Sequence, residues 1–376
     1  LRSRGLGDVY KRQHMKVGIL TFHAAHNFGA MLQAYALQEQ IRINGHEPWI
    51  INYVPEYIAS KRPTLQKWMF THGRALQTIK YYFKIMRKAK KSYDKYKYFA
   101  HEYMKLTNIC NIREDLSSIC KYFDCIILGS DQIWNIKFNG KDSVWFGDIE
   151  GFKGKLILYA ASAGDKVLDR DIKNILQKKI YDFSAISVRE SHLAQQISNI
   201  ETKLKISVVL DPSLMVDPKI WHKWQIPIRT DKYIVTYQAR EDENVFRIAT
   251  EISNQIGHEC KILNVDFWNS SFRKGVEKAI VSPSEFISLI HNSQCVITTS
   301  FHGTAFSIIN EVPFYTLYLN DGADGRSEEL LNKLGLTERM VDKTASPQFT
   351  SINYNLVNKK LNILRSASQD FLKASI

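Results

Sequence analysis

Short apolar runs rich in Val, Ile and Tyr punctuate the chain, and their alternation with helical stretches constrains the fold more than any other feature. They are Val17–Phe22, Trp49–Tyr53, Cys125–Gly129, Leu156–Ala160, Ala185–Val188, Ser207–Leu210, Tyr233–Tyr237, Lys261–Val265, Cys295–Thr299 and Phe314–Leu319. Strands this uniformly apolar are buried on both faces, and buried strands joined by helices build parallel sheets covered on both sides. Ala30–Arg42 carries the helical period, with Leu32, Tyr35, Ala36 and Glu39 at i, i+3, i+4 and i+7. Ten strands fit two Rossmann-like sheets better than one. The expected class is therefore α/β, with two parallel-sheet domains.

The X-Pro steps Asp211-Pro212 and Asp217-Pro218, followed by Trp221, Trp224 and Pro227, mark the expected boundary. This gives an N-terminal domain over 15–215 and a C-terminal domain over 230–350. Residues 351–376 carry Leu356, Leu361, Ile363, Leu364 and Phe371 on a helix expected to pack back across both. Residues 1–14 hold Arg2, Arg4, Lys11 and Arg12 against Asp8 without apolar period, and precede the strand-like Met15-Lys16-Val17-Gly18-Ile19-Leu20. They read as a non-native or disordered leader.

The formal charge of +13 is concentrated. Residues 61–105 contain 13 Lys and Arg against Asp94 and Glu102. Beyond this segment and the leader, the chain is within one charge of neutral. Interleaved Trp68, Met69, Phe70, Tyr81, Tyr82 and Phe83 make the segment one or two amphipathic helices, inserted at about 56–108. Such a face is either simply solvated or a contact for anionic lipid or glycan, which would bring the protein to the inner face of a membrane. No recognition motif accompanies the charge, so nucleic acid is not the expected partner. The five cysteines form no C-x-x-C pair, and Cys125 and Cys295 each open an apolar run. They point to a reducing cytoplasm and to no structural metal site; His23 and His26 lack companions that would make them ligands.

Ligands of open α/β sheets bind beyond the carboxyl ends of the strands. Ser300-Phe301-His302-Gly303-Thr304 follows a buried strand and opens a helix, so Ser300, His302 and Thr304 stand where free N–H groups favour phosphate or carboxylate. Gly303 permits close backbone approach, and His302 suits acid or base work near neutral pH. Asn27 and Gly29 shape a tight loop after the first strand, too poor in glycine for a dinucleotide or P-loop fingerprint. After the third strand, Ser130 or Asp131 is placed to cap a helix, and Trp134 offers a flat surface for a sugar ring. Arg189 suits a bidentate anion contact unless Glu190 pairs with it, and Arg240 and Arg326 are further anion contacts.

These pieces resemble, in order, the polysaccharide pyruvyl transferase family. They are Asn27-Phe28-Gly29 with Leu32-Gln33-Ala34-Tyr35-Ala36-Leu37, then Gly129-Ser130-Asp131-Gln132-Ile133-Trp134 and Tyr159-Ala160-Ala161-Ser162. Ser187-Val188-Arg189-Glu190, Leu210-Asp211-Pro212, Ser300-Phe301-His302-Gly303, Val312-Pro313-Phe314 and Arg326 before Leu330-Leu331 complete the set. The resemblance implies a GT-B-like fold, with two Rossmann-like domains facing a cleft. It also implies transfer of a pyruvyl group from phosphoenolpyruvate to two hydroxyls of a polysaccharide sugar, forming a ketal, with no metal or organic cofactor. Under that implication Arg189, Ser300, Gly303, Thr304, Arg326 and Arg240 bind the donor, His302 moves a proton, and Asn27, Gly29, Ser130, Asp131 and Trp134 line the acceptor side. A lipid-linked saccharide would fit the basic segment as acceptor. Two other readings stand beside it. One is a glycosyltransferase holding a nucleotide sugar at Glu311-Val312-Pro313-Phe314; the other is a non-catalytic glycan- or anion-binding module.

Overall fold

The computed structural model describes residues 14–25, 27–59, 75–164, 167–257, 260–265 and 274–376, with backbone alone for 75–86. The expected leader except His14, the first part of the basic segment, His26 and His258 lie outside the described residues.

Strands β1 (Lys16–Leu20), β2 (Glu47–Ile50), β3 (Cys125–Asp131), β4 (Lys155–Ala161), β5 (Ala185–Val188) and β6 (Ile206–Val208) form one sheet, ordered β2-β1-β3-β4-β5-β6. Strands β7 (Tyr233–Tyr237), β8 (Lys261–Val265), β9 (Val276–Ala279), β10 (Cys295–Thr298), β11 (Phe314–Tyr318) and β12 (Met340–Asp342) form the other, ordered β12-β11-β10-β7-β8-β9. Every pair of neighbouring strands is parallel. The helices, in chain order, are α1 (Phe28–Ile43), α2 (Glu56–Ala59), α3 (Ala75–Tyr103), α4 (Arg113–Cys120), α5 (Arg170–Lys179) and α6 (Ser191–Ile200). They continue with α7 (Pro212–Met215), α8 (Asn244–Ile256), α9 (Pro283–His291), α10 (Phe301–Ile309), α11 (Gly325–Leu334) and α12 (Tyr354–Ser375). Two Rossmann-like halves face one another, the GT-B arrangement that the alternation of strands and helices implied.

Two strands escaped the sequence reading. Both β9 and β12 are sheet edges, the first carrying exposed Glu277 and Lys278 of intermediate exposure, the second only three residues long. An edge strand buries too little to need a continuous apolar run. A second expectation fails after β3, where no helix follows. The strand runs on to Asp131, whose φ of 74° is not helical, and irregular turns follow. Ser130 and Asp131 are therefore not helix caps.

The core explains how the halves join. Ile127 and Tyr159 of the first sheet, Val235 and Val296 of the second, and Phe286 and Phe306 of α9 and α10 belong to one continuous apolar cluster. Helix α1 runs through it, with every residue from Phe28 to Gln38 buried. The Phe28 ring stacks on Phe286 at 4.5 Å with the planes 3° apart, and on Tyr96 of α3 at 5.3 Å. Burying each such ring stabilises by ~1.5–3 kcal/mol. The segment after Asp211 is no exposed linker, because Leu214, Met215 and Trp221 are buried. The basic segment supplies one long helix, α3, with Ala89, Ser92, Tyr96 and Phe99 buried. Helix α12 reaches both halves: the Ser368 hydroxyl accepts from Leu210 N at 2.9 Å, and the Tyr354 hydroxyl donates to Val312 O at 2.6 Å. Its buried stripe is Tyr354, Val357, Leu361 and Leu372, while the expected contacts Leu356 and Ile363 face solvent. All five cysteines are buried as free thiols, and burial pushes those of Cys120, Cys125 and Cys295 up to about 12.

Candidate active site

A cleft of about 430 Å³ opens where the carboxyl ends of the two sheets converge. Phe22 after β1, Asp131 at the end of β3, Arg240 after β7, Ser300 and His302 after β10, and Arg326 of α11 contribute to its walls. Parallel strands all point their carboxyl ends the same way, so one edge of each sheet collects these loops.

His302 stands in the first turn of α10, with its ring against the first turn of α1. A methyl group added at Gly29 would lie 2.0 Å from His302 Nδ1, so this contact requires glycine. On its other side, His302 Nε2 lies 3.5 Å from Asp211 Oδ2. The same oxygen is 2.7 Å from Arg189 Nη2. Arg189 and His302, 113 positions apart in the chain, thus meet across one carboxylate. Asp211 stood in the sequence as part of the boundary and within the Leu210-Asp211-Pro212 piece, with no role of its own; here it caps α7, accepting from Ser213 N at 2.9 Å, and balances the Arg189 guanidinium. Burial pushes its carboxyl up, but Arg189, His302 and Ser213 outweigh burial and hold it far below the usual carboxylate range.

Arg189 lies beneath the cleft floor rather than on it, with a side chain 4% exposed. Nη2 donates to Ser130 Oγ at 2.5 Å, and Nη1 is 3.8 Å from Asp131 Oδ1. Glu190 does not pair with it; Glu190 accepts from Ser162 Oγ at 2.6 Å, and burial raises its carboxyl above the ordinary range. Arg326, unlike Arg189, lines the cleft. Its Nη1 is 3.9 Å from Asp131 Oδ1, and Gln132, with its amide oxygen turned inward, accepts from both terminal nitrogens at 2.6 and 3.0 Å. The Phe301 ring lies near both guanidiniums, 5.1 Å from Arg189 and 5.6 Å from Arg326. Burial and then the like charge of Arg189 disfavour the Arg326 cation, while Asp131 and Glu190 favour it. Nε of both arginines, Arg189 Nη1 and His302 Nε2 are buried without hydrogen-bond partners. Buried polar atoms in that state are costly.

Other expected contacts sit elsewhere. Trp134 is 1% exposed, stacks on Phe146 and donates to Trp145 O at 3.0 Å, so it is core and presents no face to a sugar. Thr304 is fully buried and bonds Thr316 Oγ1 at 2.7 Å, within the packing of α10 on its sheet. Gly303 is small because a Cβ there would lie 2.2 Å from Thr298 Oγ1, not because a ligand approaches it. Arg240 reaches the cleft but is held by Asp321 and Asp324, so its charge is already balanced. Asn27 lines the cleft and caps α1, accepting from Ala30 N at 3.3 Å. Glu311 lies before β11, at the edge opposite the cleft, and accepts from Asn358, so that stretch holds no ligand of this cleft. Gln132 and Phe301 were quoted within motifs but not singled out, because neither residue type signals chemistry alone. Among the described residues, no group of three or more His, Cys, Asp or Glu side chains is placed to hold a metal ion.

Fold and site define an α/β protein with two Rossmann-like halves and a cationic cleft between them. Residues 27–321 match the polysaccharide pyruvyl transferase family, and the chain belongs to it. No curated protein shows significant similarity. Among solved structures, the chain is similar to the spinosyn forosaminyltransferase SpnP, at 11% identity over 96% of both chains, with a TM-score of 0.44. It is also similar to the UDP-GlcNAc 2-epimerase of Methanocaldococcus jannaschii, at 12% identity over 93% of both chains, with a TM-score of 0.46.

Proposed function

We propose that the protein moves the pyruvyl group of phosphoenolpyruvate onto two hydroxyls of a saccharide, releasing phosphate and leaving a ketal. The observation that carries this reading is the pair of guanidiniums flanking Phe301 beside the Asp211–His302 contact. A small molecule with both phosphate and carboxylate is the anion that suits it. Arg326 meets the donor directly, and Arg189 supports it from below through the field it shares with Asp131.

The chemistry follows in balanced steps. His302 gives a proton to the methylene carbon of the donor while a first hydroxyl adds to the adjacent carbon, its own proton passing to Asp131. The bond from that carbon to the phosphate oxygen breaks, and phosphate leaves with its electrons. The second hydroxyl attacks the resulting oxocarbenium centre and loses its proton to the departing phosphate, and the proton held by Asp131 returns through solvent to His302. Asp211, held ionised, supplies the counter-charge whenever His302 carries its proton. Acid–base assistance of this kind contributes ~10²–10⁴-fold. The five buried free thiols support a cytoplasmic site of action.

Thermal denaturation with candidate donors tests the reading. Phosphoenolpyruvate should raise the melting temperature and nucleotide sugars should not; the reverse result assigns the cleft to glycosyl transfer. His302→Ala should keep the phosphoenolpyruvate-induced shift and lose saccharide-dependent phosphate release. Unchanged release from that variant removes His302 from the reaction.

A further inference from the structure

A second cavity lies outside the cleft, between α3 and the start of α9, with a volume of about 580 Å³. Arg87, Lys90, Lys91 and Lys95 form one wall, and Ser282 and Ser284 face them. Periodicity explains the wall: Ala89, Ser92, Tyr96 and Phe99 recur at three- and four-residue spacing on the buried side, which turns Arg87, Lys90, Lys91 and Lys97 to solvent. Lys95 is paired with Glu285. Among the described residues, Arg87, Lys90 and Lys91 make no ion pair, although Asp94 lines the same groove. Like charges crowded on one helix face repel, so the arrangement is costly until an anion meets it. The apolar side of α3 is already used against the protein, so this part of the helix has no free face to insert into a bilayer. Recognition here is by charge.

We propose that this groove is a second anion site, built for the phosphate of a phosphate ester. Lysines are compact, strongly hydrated point charges that suit phosphate, and the cavity draws them from one half of the molecule and serine hydroxyls from the other. A buried layer of rings separates the groove from the cleft. The groove residues Lys95 and Glu285 precede Tyr96 and Phe286, the rings stacked on Phe28, and Phe28 follows the cleft residue Asn27. The site does not depend on pyruvyl transfer and stands or falls on its own test.

Calorimetric titration with inorganic pyrophosphate should find two sites in the intact protein. The double variant Lys90→Glu/Lys91→Glu should lose one of them, with at least a tenfold weaker Kd, and Lys90→Gln/Lys91→Gln should weaken the same site in the same direction. Arg326→Gln should lose the other. Vesicles of phosphatidylcholine with phosphatidylglycerol separate the sources: binding that pyrophosphate displaces identifies a lipid headgroup, and pyrophosphate binding without vesicle binding identifies a soluble ester. Raising salt from ~0.05 to ~0.5 M should weaken groove binding, since exposed charges are screened over a few ångströms there. If neither probe binds, or if binding is abolished by Arg326→Gln and untouched by both lysine variants, the groove is not an anion site.

Discussion

Asp211→Asn tests the centre of the site most directly. The carboxylate is fully buried and neutralises an Arg189 guanidinium 2.7 Å away. Removing one partner of a buried pair costs ~3–5 kcal/mol, because the other charge stays behind without compensation. Asparagine keeps the side-chain shape and an oxygen for Ser213 N, so most of the ~1 kcal/mol cap survives. Asp131, 3.8 Å from Arg189, also supplies residual negative charge. The expected loss is therefore near the lower bound, ~3 kcal/mol. Urea unfolding followed by tryptophan fluorescence measures it, with an unchanged slope showing that both proteins expose the same surface. The pH dependence provides a second check. The Asp211 carboxyl is depressed in the folded protein, so its contribution is fully present above its ordinary value of 3.8 and is lost as pH falls below that toward the folded value. The gap between wild type and variant should close in strongly acid solution. Phosphate should stabilise the variant more than the wild type, because the field of Arg189 beneath the cleft is then no longer offset by Asp211. A gap below ~0.5 kcal/mol, the size of an ordinary surface change, or one that persists at strongly acid pH, would refute this account of Asp211.

Two further outcomes follow from the packing. Gly29→Ala places a methyl 2.0 Å from His302 Nδ1 and must displace the ring; turnover should fall ~10²-fold while stability drops by only ~1–3 kcal/mol, and unchanged turnover means that the ring position is irrelevant. Trp134→Phe removes the donor to Trp145 O and should cost ~1–3 kcal/mol in unfolding experiments with no change in acceptor KM, whereas a raised KM would return Trp134 to the cleft.

The parallel sheets were legible because buried strands cannot hide their apolar runs, as β3 and β10 illustrate. Strands β9 and β12 were not, since an edge pairs on one side and tolerates polar residues. Arg189 and His302 could be picked out by type and by their position after strands. What joins them, Asp211, was quoted in the Leu210-Asp211-Pro212 piece but given no role: an Asp-Pro step signals a turn, and only the packed structure reveals that this turn lies under the cleft. Trp134 misled for a related reason. An aromatic residue after a strand serves equally as a sugar platform or as core, and only the packed structure shows Trp134 stacked on Phe146.

The shared interior through which α1 runs also sets how the molecule can be divided. Cutting the chain at the Asp211 turn would strip each fragment of an inner wall and leave Phe28 and Phe286 facing water. Neither piece is expected to survive proteases alone. Co-expressed, they should find each other by the same greasy seam, so a split version of this protein can report reassembly through its own activity.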